Sequence, residues 1–376
     1  MSEKVRQANF ELLRIIAMLM IIGHHLAGHG VQWGTPEIGP YIIYSSGSLL
    51  NKITISSLLP GGEVGVACFF LLTGYFQINK KDFSILKIIL ESMYYGVFSI
   101  VLFLVVKFFL GGFSTLETSD ALYYCVSALF NPCTSGIWWF VSAYILIVIL
   151  SPLINNFILK LNKRGFIIVL FTVWALWYSI PFLTDTFLHP IQRGLFFYLV
   201  GAFIRIYYSK HDKKIEYLLY ATVAIVSWIM GSIVFFYLSR FYAISEKTIQ
   251  IIMAIKILRV GVSAFFIPIC AISIFRLFEM INIGSPKVIN TIAATSFAVY
   301  LIHDSLIGRN FLWHDLLKVD LLYIEQKMFP LYAVAIIFGI FGVCSVIDLI
   351  RLNYFEKWAI QQGEKIIKIF KRKCMK

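Results

Sequence analysis

Apolar stretches about as long as a membrane is thick recur along the whole chain. A hydrocarbon core of roughly 30 Å needs about 20 mostly apolar residues in a helix. Such windows fall at residues 10–28, 57–76, 83–109, 136–155, 165–182, 190–208, 215–238, 251–275, 287–307 and 331–350. The pattern predicts an all-α integral membrane protein with about ten transmembrane helices, built as one polytopic domain over residues 1–350.

The composition agrees with a membrane protein. Hydrophobic residues make up 59% of the chain and charged residues only 14%, whereas about a quarter of the residues in a soluble domain are charged. The net charge of +13 could suggest nucleic acid, but the basic residues lie between the apolar windows and not on one face. We therefore expect the lipid bilayer as a partner and no nucleic acid.

Lysine and arginine are distributed unevenly between the two sides that the alternating windows define. Of the 33 such residues, 23 fall on the side that holds both termini and 10 on the other. Basic residues concentrate on the cytoplasmic side, so both termini are predicted to be cytoplasmic, in a multi-pass protein of the cell (cytoplasmic) membrane. The tail, residues 351–376, interleaves aromatic with basic residues and is predicted to be a basic amphipathic segment on the anionic inner leaflet.

The six cysteines show neither a CxxC pair nor a metal-ligand spacing. Cys125 and Cys133 fall in one predicted outer loop, where they could pair or remain two thiols. The sequence contains neither a P-loop nor a GxGxxG motif, so the glycines are more easily explained by close helix packing than by phosphate binding.

The first window contains ionisable side chains, which are costly inside a membrane and suggest function by default. Arg14 and His25 are eleven residues apart, and eleven steps of about 100° bring both to one helix face, about 16 Å apart along the axis. His29 returns to this face one turn further on, whereas His24 points about 100° away. The shared face offers a cation in the inner half of the window and a titratable base in the outer half.

Several chemical roles are open to these side chains. A neutral histidine within reach of a hydroxyl can act as a general base. The structural alternative is a histidine satisfied by an inter-helix hydrogen bond, with Arg14 snorkelling to the headgroups. His25 and His29 at i, i+4 would also suit a metal pair, but no HExxH acid accompanies them, so we expect no metal.

More polar residues fall in the outer half of the membrane when the windows are threaded alternately. They are Glu63, Trp139, Arg193, Lys256, Arg259, His303 and Asp304. With His25 and His29 they could form one embedded site that is approached from outside. Charge pairing of Glu63 or Asp304 with Arg193 or Arg259 would be a sufficient structural reason for several of them. Trp139 could be a belt residue or stack on a sugar.

Four motifs, in this order, resemble those of the membrane-bound acyltransferase-3 family, which O-acylates bacterial surface polysaccharides. They are Arg14-x10-His25, Gly65-Val-Ala-Cys-Phe-Phe-Leu-Leu-Thr-Gly-Tyr75, Trp138-Trp-Phe-Val-Ser-Ala-Tyr144 with Ser151-Pro-Leu-Ile-Asn155, and Tyr300-Leu-Ile-His303. The resemblance implies that His25 is the essential histidine, Arg14 its paired arginine, and His303 a residue that orients the acceptor or partners the base. Some members carry an Arg-x-x-Arg motif near the third span, where this chain has Lys80, Lys81 and Lys87.

The resemblance also implies a reaction. An acyl group, most often acetyl from acetyl-CoA in the cytoplasm, would pass to a hydroxyl of a cell-surface or exported polysaccharide. His25 would either deprotonate that hydroxyl or carry the acyl group as a covalent intermediate. The alternative is a transporter or flippase for a glycolipid or polysaccharide precursor, which intramembrane His and Arg would serve equally well, although no inverted repeat of interrupted helices is evident.

Overall fold

The computed structural model describes residues 7–32, 45–80, 85–112, 117–130, 138–179, 189–208, 214–242, 257–284, 286–356, 358–362 and 365. Within these ranges every regular element is helical. The first eight are α1 (Ala8–Ala27), α2 (Leu49–Leu58), α3 (Pro60–Gln77), α4 (Leu86–Leu110), α5 (Thr118–Phe130), α6 (Trp139–Ile158), α7 (Lys163–Thr172) and α8 (His189–Tyr207). The others are α9 (Lys214–Tyr242), α10 (Ile267–Met280), α11 (Lys287–Ala294), α12 (Ser296–His303), α13 (Leu306–Asn310), α14 (Val319–Glu325) and α15 (Phe329–Tyr354). Short π-helical segments adjoin four of these, at Gly28–Gln32, Val173–Ser179, Val262–Phe266 and Phe311–Leu316.

Seven helical segments of the described chain are long and apolar enough to cross a membrane. They are Ala8–Gln32, Leu49–Gln77, Leu86–Leu110, Trp139–Ile158, Ile215–Arg240, Ile257–Met280 and Phe329–Tyr354. An eighth span is formed if the bent pair Lys287–His303 and Leu306–Glu325, which meet at 76°, is counted as one. The prediction of an all-α, multi-pass membrane protein is therefore confirmed.

The predicted count of about ten spans is not confirmed. The fifth and sixth windows contain α7 and α8, but neither helix is among the segments that are long and apolar enough. The cytoplasmic location of both termini stays a prediction, as does the membrane-bound tail, most of which lies outside the described residues. Cys133 and the side chain of Cys125 are also outside them, so their pairing stays open.

Large apolar side chains cover the outside of the bundle. On α15, for example, Leu331, Val334, Phe338 and Val343 are each more than half exposed. Such a surface would be unfavourable in water, because contiguous apolar patches of this extent are rare on soluble proteins. Lipid is the solvent that this surface fits.

Helix α3 lies at the centre of the bundle, in contact with α1, α8 and α10. Its glycines permit this close packing: a side chain on Gly74 would overlap the carbonyl of Tyr198 in α8, and one on Gly65 would overlap the carbonyl of Ala17 in α1. Gly201 of α8 stands in the same relation to the carbonyl of Leu71. Small residues at helix contacts let backbones approach in membranes, so α3 fixes the positions of α1 and α8.

Gly74→Ala is expected to lower the free energy of unfolding by about 1–3 kcal/mol, the usual cost of overpacking. The added methyl group has no room beside the Tyr198 backbone, which cannot move without α8. Thermal unfolding in detergent would measure the loss. Gly342→Ala is the matched control, since nothing lies within 4 Å of its added carbon; equal melting temperatures for the two variants would contradict this account of the packing.

Candidate functional site

Two cavities lie one after the other along α1. The Arg14 cavity, about 300 Å³, is lined by Arg14 and Met18 from the first half of the helix. The His25 cavity, about 420 Å³, is lined by His25 near its end and by His29 of the π-helical segment that follows. They share Ile21, Val66 and Tyr300, which form the wall between them. The two cavities are thus separate but adjacent.

The structure brings together most of the residues that the sequence analysis singled out. The members that line the His25 cavity are Glu63, Trp139, Arg193, Arg259 and Asp304, together with His24, His25 and His29. His303 is completely buried directly behind His25, whereas Lys256 lies outside the described residues. Arg14 and His25, which were predicted to share one face, line the two neighbouring cavities and not a single one.

A chain of hydrogen bonds holds His25 from behind. Its Nδ1 lies 2.9 Å from Nε2 of His303, and Nδ1 of His303 lies 2.5 Å from the carbonyl oxygen of Val299. A carbonyl can only accept, so the proton of a neutral His303 is on Nδ1 and its Nε2 is an acceptor. His25 must then donate from Nδ1. In this tautomer Nε2 of His25 carries a lone pair, which is the form a general base requires.

The Asp304 carboxylate completes this arrangement. Asp304 lies at the break between α12 and α13, where Ser305 begins the new helix by accepting a hydrogen bond from the Gly308 amide. Its Oδ1 is 3.0 Å from Nη2 of Arg309, 3.5 Å from Nε2 of His29 and 3.6 Å from Nδ1 of His25. A buried carboxylate so close to His25 would stabilise the imidazolium that forms when His25 accepts a proton.

His24 is held in a different orientation from His25. Its Nδ1 donates to the carbonyl of Leu59 over 2.6 Å, at the junction of α2 and α3. A side chain on Gly62 would overlap the His24 ring, so the glycine makes room for it. His24 therefore contributes to the wall of the His25 cavity from a position set by α3.

Ion pairs tie the rest of the cavity together. Arg193 and Glu63 are 3.7 Å apart, as the sequence analysis anticipated for these two residues, and Ser263 donates to Glu63. Asp304 is paired with Arg309, which sequence reasoning missed. Ser305, a favourable residue for the start of a helix, was the signal that could have predicted this pair. A helix that begins there brings residue 309 one turn later to the side of residue 304.

The Arg14 cavity has a different character. Apolar side chains such as Met18, Phe69 and Phe297 line most of it, and its charged groups are Arg14, Lys87 and Glu91. Arg14 Nε is buried without a hydrogen-bond partner. Lys87 forms an ion pair of 2.8 Å with Glu356, just beyond α15. A cavity with an apolar body and two cations suits a ligand that is partly apolar and partly anionic.

The His25 cavity also contains a geometry that a metal could use. One ligand atom from each of His25, His29 and Asp304 lies within 4.8 Å of the other two. Two of these groups already have partners, however: Asp304 accepts from Arg309, and His25 Nδ1 bonds to His303. The cationic Arg309 would also repel a metal ion at this point. The geometry therefore fits a histidine–carboxylate network better than a metal centre.

Comparison with known families identifies the class of protein. Residues 7–349 match the model of the acyltransferase-3 family, described as an acyltransferase domain. This chain therefore belongs to the acyltransferase-3 family, as the sequence motifs predicted, and is a multi-pass membrane acyltransferase. No match was found among curated proteins or solved structures.

Because Asp304 already accepts from Arg309 and His25 already bonds to His303, we expect the purified protein to contain far less than one equivalent of bound transition metal. Elemental analysis by mass spectrometry, after purification without chelator, would measure this. His29→Ala, which removes one potential ligand, should leave the metal content unchanged. Stoichiometric zinc in the unaltered protein that disappears in His29→Ala would contradict the assignment.

Proposed function

We propose that the protein transfers an acyl group, in the simplest case acetyl, from cytoplasmic acyl-CoA to a hydroxyl of a cell-surface or exported polysaccharide. The observation that carries this proposal is the pair of adjacent cavities, one with two cations and the other with an oriented histidine. The proposal places the protein in the cell (cytoplasmic) membrane, with about ten membrane spans and both termini in the cytoplasm. In this orientation the Arg14 cavity lies towards the cytoplasm.

The donor would bind in the Arg14 cavity. Arg14 and Lys87 could meet its phosphates, because charge-assisted hydrogen bonds to phosphate are among the strongest that proteins make. The apolar side chains of the cavity would cover the thioester and its acyl group. Lys87 would have to exchange its bond to Glu356 for one to the donor.

The acceptor would bind in the His25 cavity. A volume of about 420 Å³ lies within the range of small-ligand sites. Glu63, Arg193 and Arg259 offer acceptors and donors for sugar hydroxyls, and Trp139 offers a face on which a sugar ring could stack. These contacts would position one hydroxyl at His25.

The transfer would take place at the wall between the cavities. Nε2 of His25 takes the proton of the acceptor hydroxyl while the hydroxyl oxygen forms a bond to the carbonyl carbon of the thioester. The carbon–sulfur bond then breaks, and the departing CoA thiolate receives the proton from His25. His25 lines only the acceptor's cavity, which favours this role as base over one as a covalent acyl carrier. His303 and Asp304 hold the ring, and Asp304 balances its transient charge.

His25→Ala is expected to abolish acyl transfer, since the base is lost while the fold is kept. The measurement is the release of CoA thiol from acetyl-CoA by purified protein when an acceptor glycan is supplied. His314→Ala, at a histidine that lines neither cavity, is the matched control and should retain activity.

Two outcomes would count against the proposal. Normal CoA release by a well-folded His25→Ala variant would refute the role of His25 as base. Absence of any glycan-dependent CoA release by the unaltered protein, together with movement of a glycolipid across vesicles, would favour a transporter instead.

A further inference from the structure

Tyr300 is the polar member of the wall between the two cavities. Its two companions, Ile21 and Val66, have aliphatic side chains that can neither donate nor accept a hydrogen bond. Among the three residues that line both cavities, only Tyr300 can therefore respond to charge that develops at the wall. This position is also where donor and acceptor would have to meet.

The hydroxyl of Tyr300 is buried without a hydrogen-bond partner. The residue is 4% exposed; the Asp304 carboxylate and the Phe140 backbone lie near the hydroxyl, but neither meets the distance and angles of a hydrogen bond to it in the resting protein. Other buried tyrosines differ: Tyr198 donates to Asn155 and Tyr178 to the carbonyl of Ser263. Buried polar groups nearly always have partners, so an unpaired one beside two cavities indicates a partner that arrives with the ligand.

Packing and backbone contacts fix the position of the Tyr300 side chain. Its ring packs edge-to-face on Phe140, with centroids 5.7 Å apart, and its carbonyl accepts from the Asp304 amide within the turn that ends α12. The His303 ring lies 6.4 Å away, between centroids. One helical turn thus carries the tyrosine, the histidine behind His25 and the carboxylate, so the three groups move as a unit.

We propose, on the basis of the function proposed above, that Tyr300 is a further catalytic residue that donates from Oη to the carbonyl oxygen of the acyl group. As the acceptor oxygen bonds to the carbonyl carbon, the π electrons of the carbonyl move to its oxygen, which becomes an oxyanion. The Tyr300 proton remains on Tyr300 and stabilises this charge by a hydrogen bond. When the carbon–sulfur bond breaks, the carbonyl re-forms, and the product ester and the CoA thiol leave on opposite sides of the wall.

Tyr300→Phe, which removes only the hydroxyl, tests this role. Loss of one oxyanion donor typically lowers kcat by about 10²–10³-fold, and we expect that loss with KM for the acyl donor unchanged. We also expect the melting temperature to stay the same or rise, because the hydroxyl that is removed has no partner in the resting protein. The kcat, the KM and the melting temperature are all measured on purified full-length protein, the first two with acetyl-CoA and an acceptor glycan.

Tyr198→Phe is the control and should behave in the opposite way. It removes a hydroxyl that bonds to Asn155 at a buried site outside both cavities, so it should lower the melting temperature and leave kcat unchanged. A Tyr300→Phe variant with kcat close to that of the unaltered protein would refute the proposal, as would a loss of stability equal to that of Tyr198→Phe. Either outcome would leave the proposed acyl transfer, with His25 as its base, intact. If the unaltered protein shows no acyl transfer, both proposals are overturned.

Discussion

The hydrogen bond between Nδ1 of His25 and Nε2 of His303 is the contact on which the rest of the site depends. It joins residues 278 positions apart in the chain and connects α1 to α12. In a membrane, a buried imidazole must find its partners within the protein. Here each ring supplies the hydrogen-bond partner of the other. The Val299 carbonyl, which can only accept, fixes the donor and the acceptor in both hydrogen bonds. The bond therefore fixes the orientation of the His25 ring and its tautomer together.

Close packing around α3 explains how two cavities can adjoin without merging. One end of α3 contributes Glu63 to the His25 cavity, and the other end contributes Thr73 to the Arg14 cavity. Val66 lies between them in the wall. Because Gly65 and Gly74 let α1 and α8 approach the α3 backbone, the wall is only a few side chains thick. Such a wall separates two ligands from each other while allowing their reactive groups to meet.

Much of this arrangement could be predicted from the sequence. The 3.6-residue period of α1 predicted one face for Arg14 and His25, and the structure places them beside two adjoining cavities along α1. Alternate threading of the windows gathered Glu63, Arg193 and Asp304 near His25, and all four line one cavity. Both predictions rest on the helical period and on the order of the apolar windows, which can be read directly from the sequence.

The remaining features depend on how helices bend and pack. The separation of about 16 Å along the axis between Arg14 and His25 is too long for one small cavity, and only the packed structure reveals the wall that divides them. The pairing of Asp304 with Arg309 needs the 76° bend between two helices, which hydrophobic periodicity does not register. Tyr300 entered the sequence analysis only as the first residue of the Tyr300-Leu-Ile-His303 motif, without a role of its own. Its position between the two cavities and its unpaired hydroxyl are visible only in the packed structure.

The central claim is that donor and acceptor reach a common wall from opposite faces of the membrane. Its most direct measurement is the labelling of single cysteines by a maleimide that cannot cross membranes, applied to whole cells and to inside-out vesicles. Thr73→Cys lies in the Arg14 cavity and Gln32→Cys in the His25 cavity. The account predicts that Thr73→Cys is labelled only from the cytoplasmic face and Gln32→Cys only from the outer face, above the background of the parent chain. Labelling of both from the same face would contradict it.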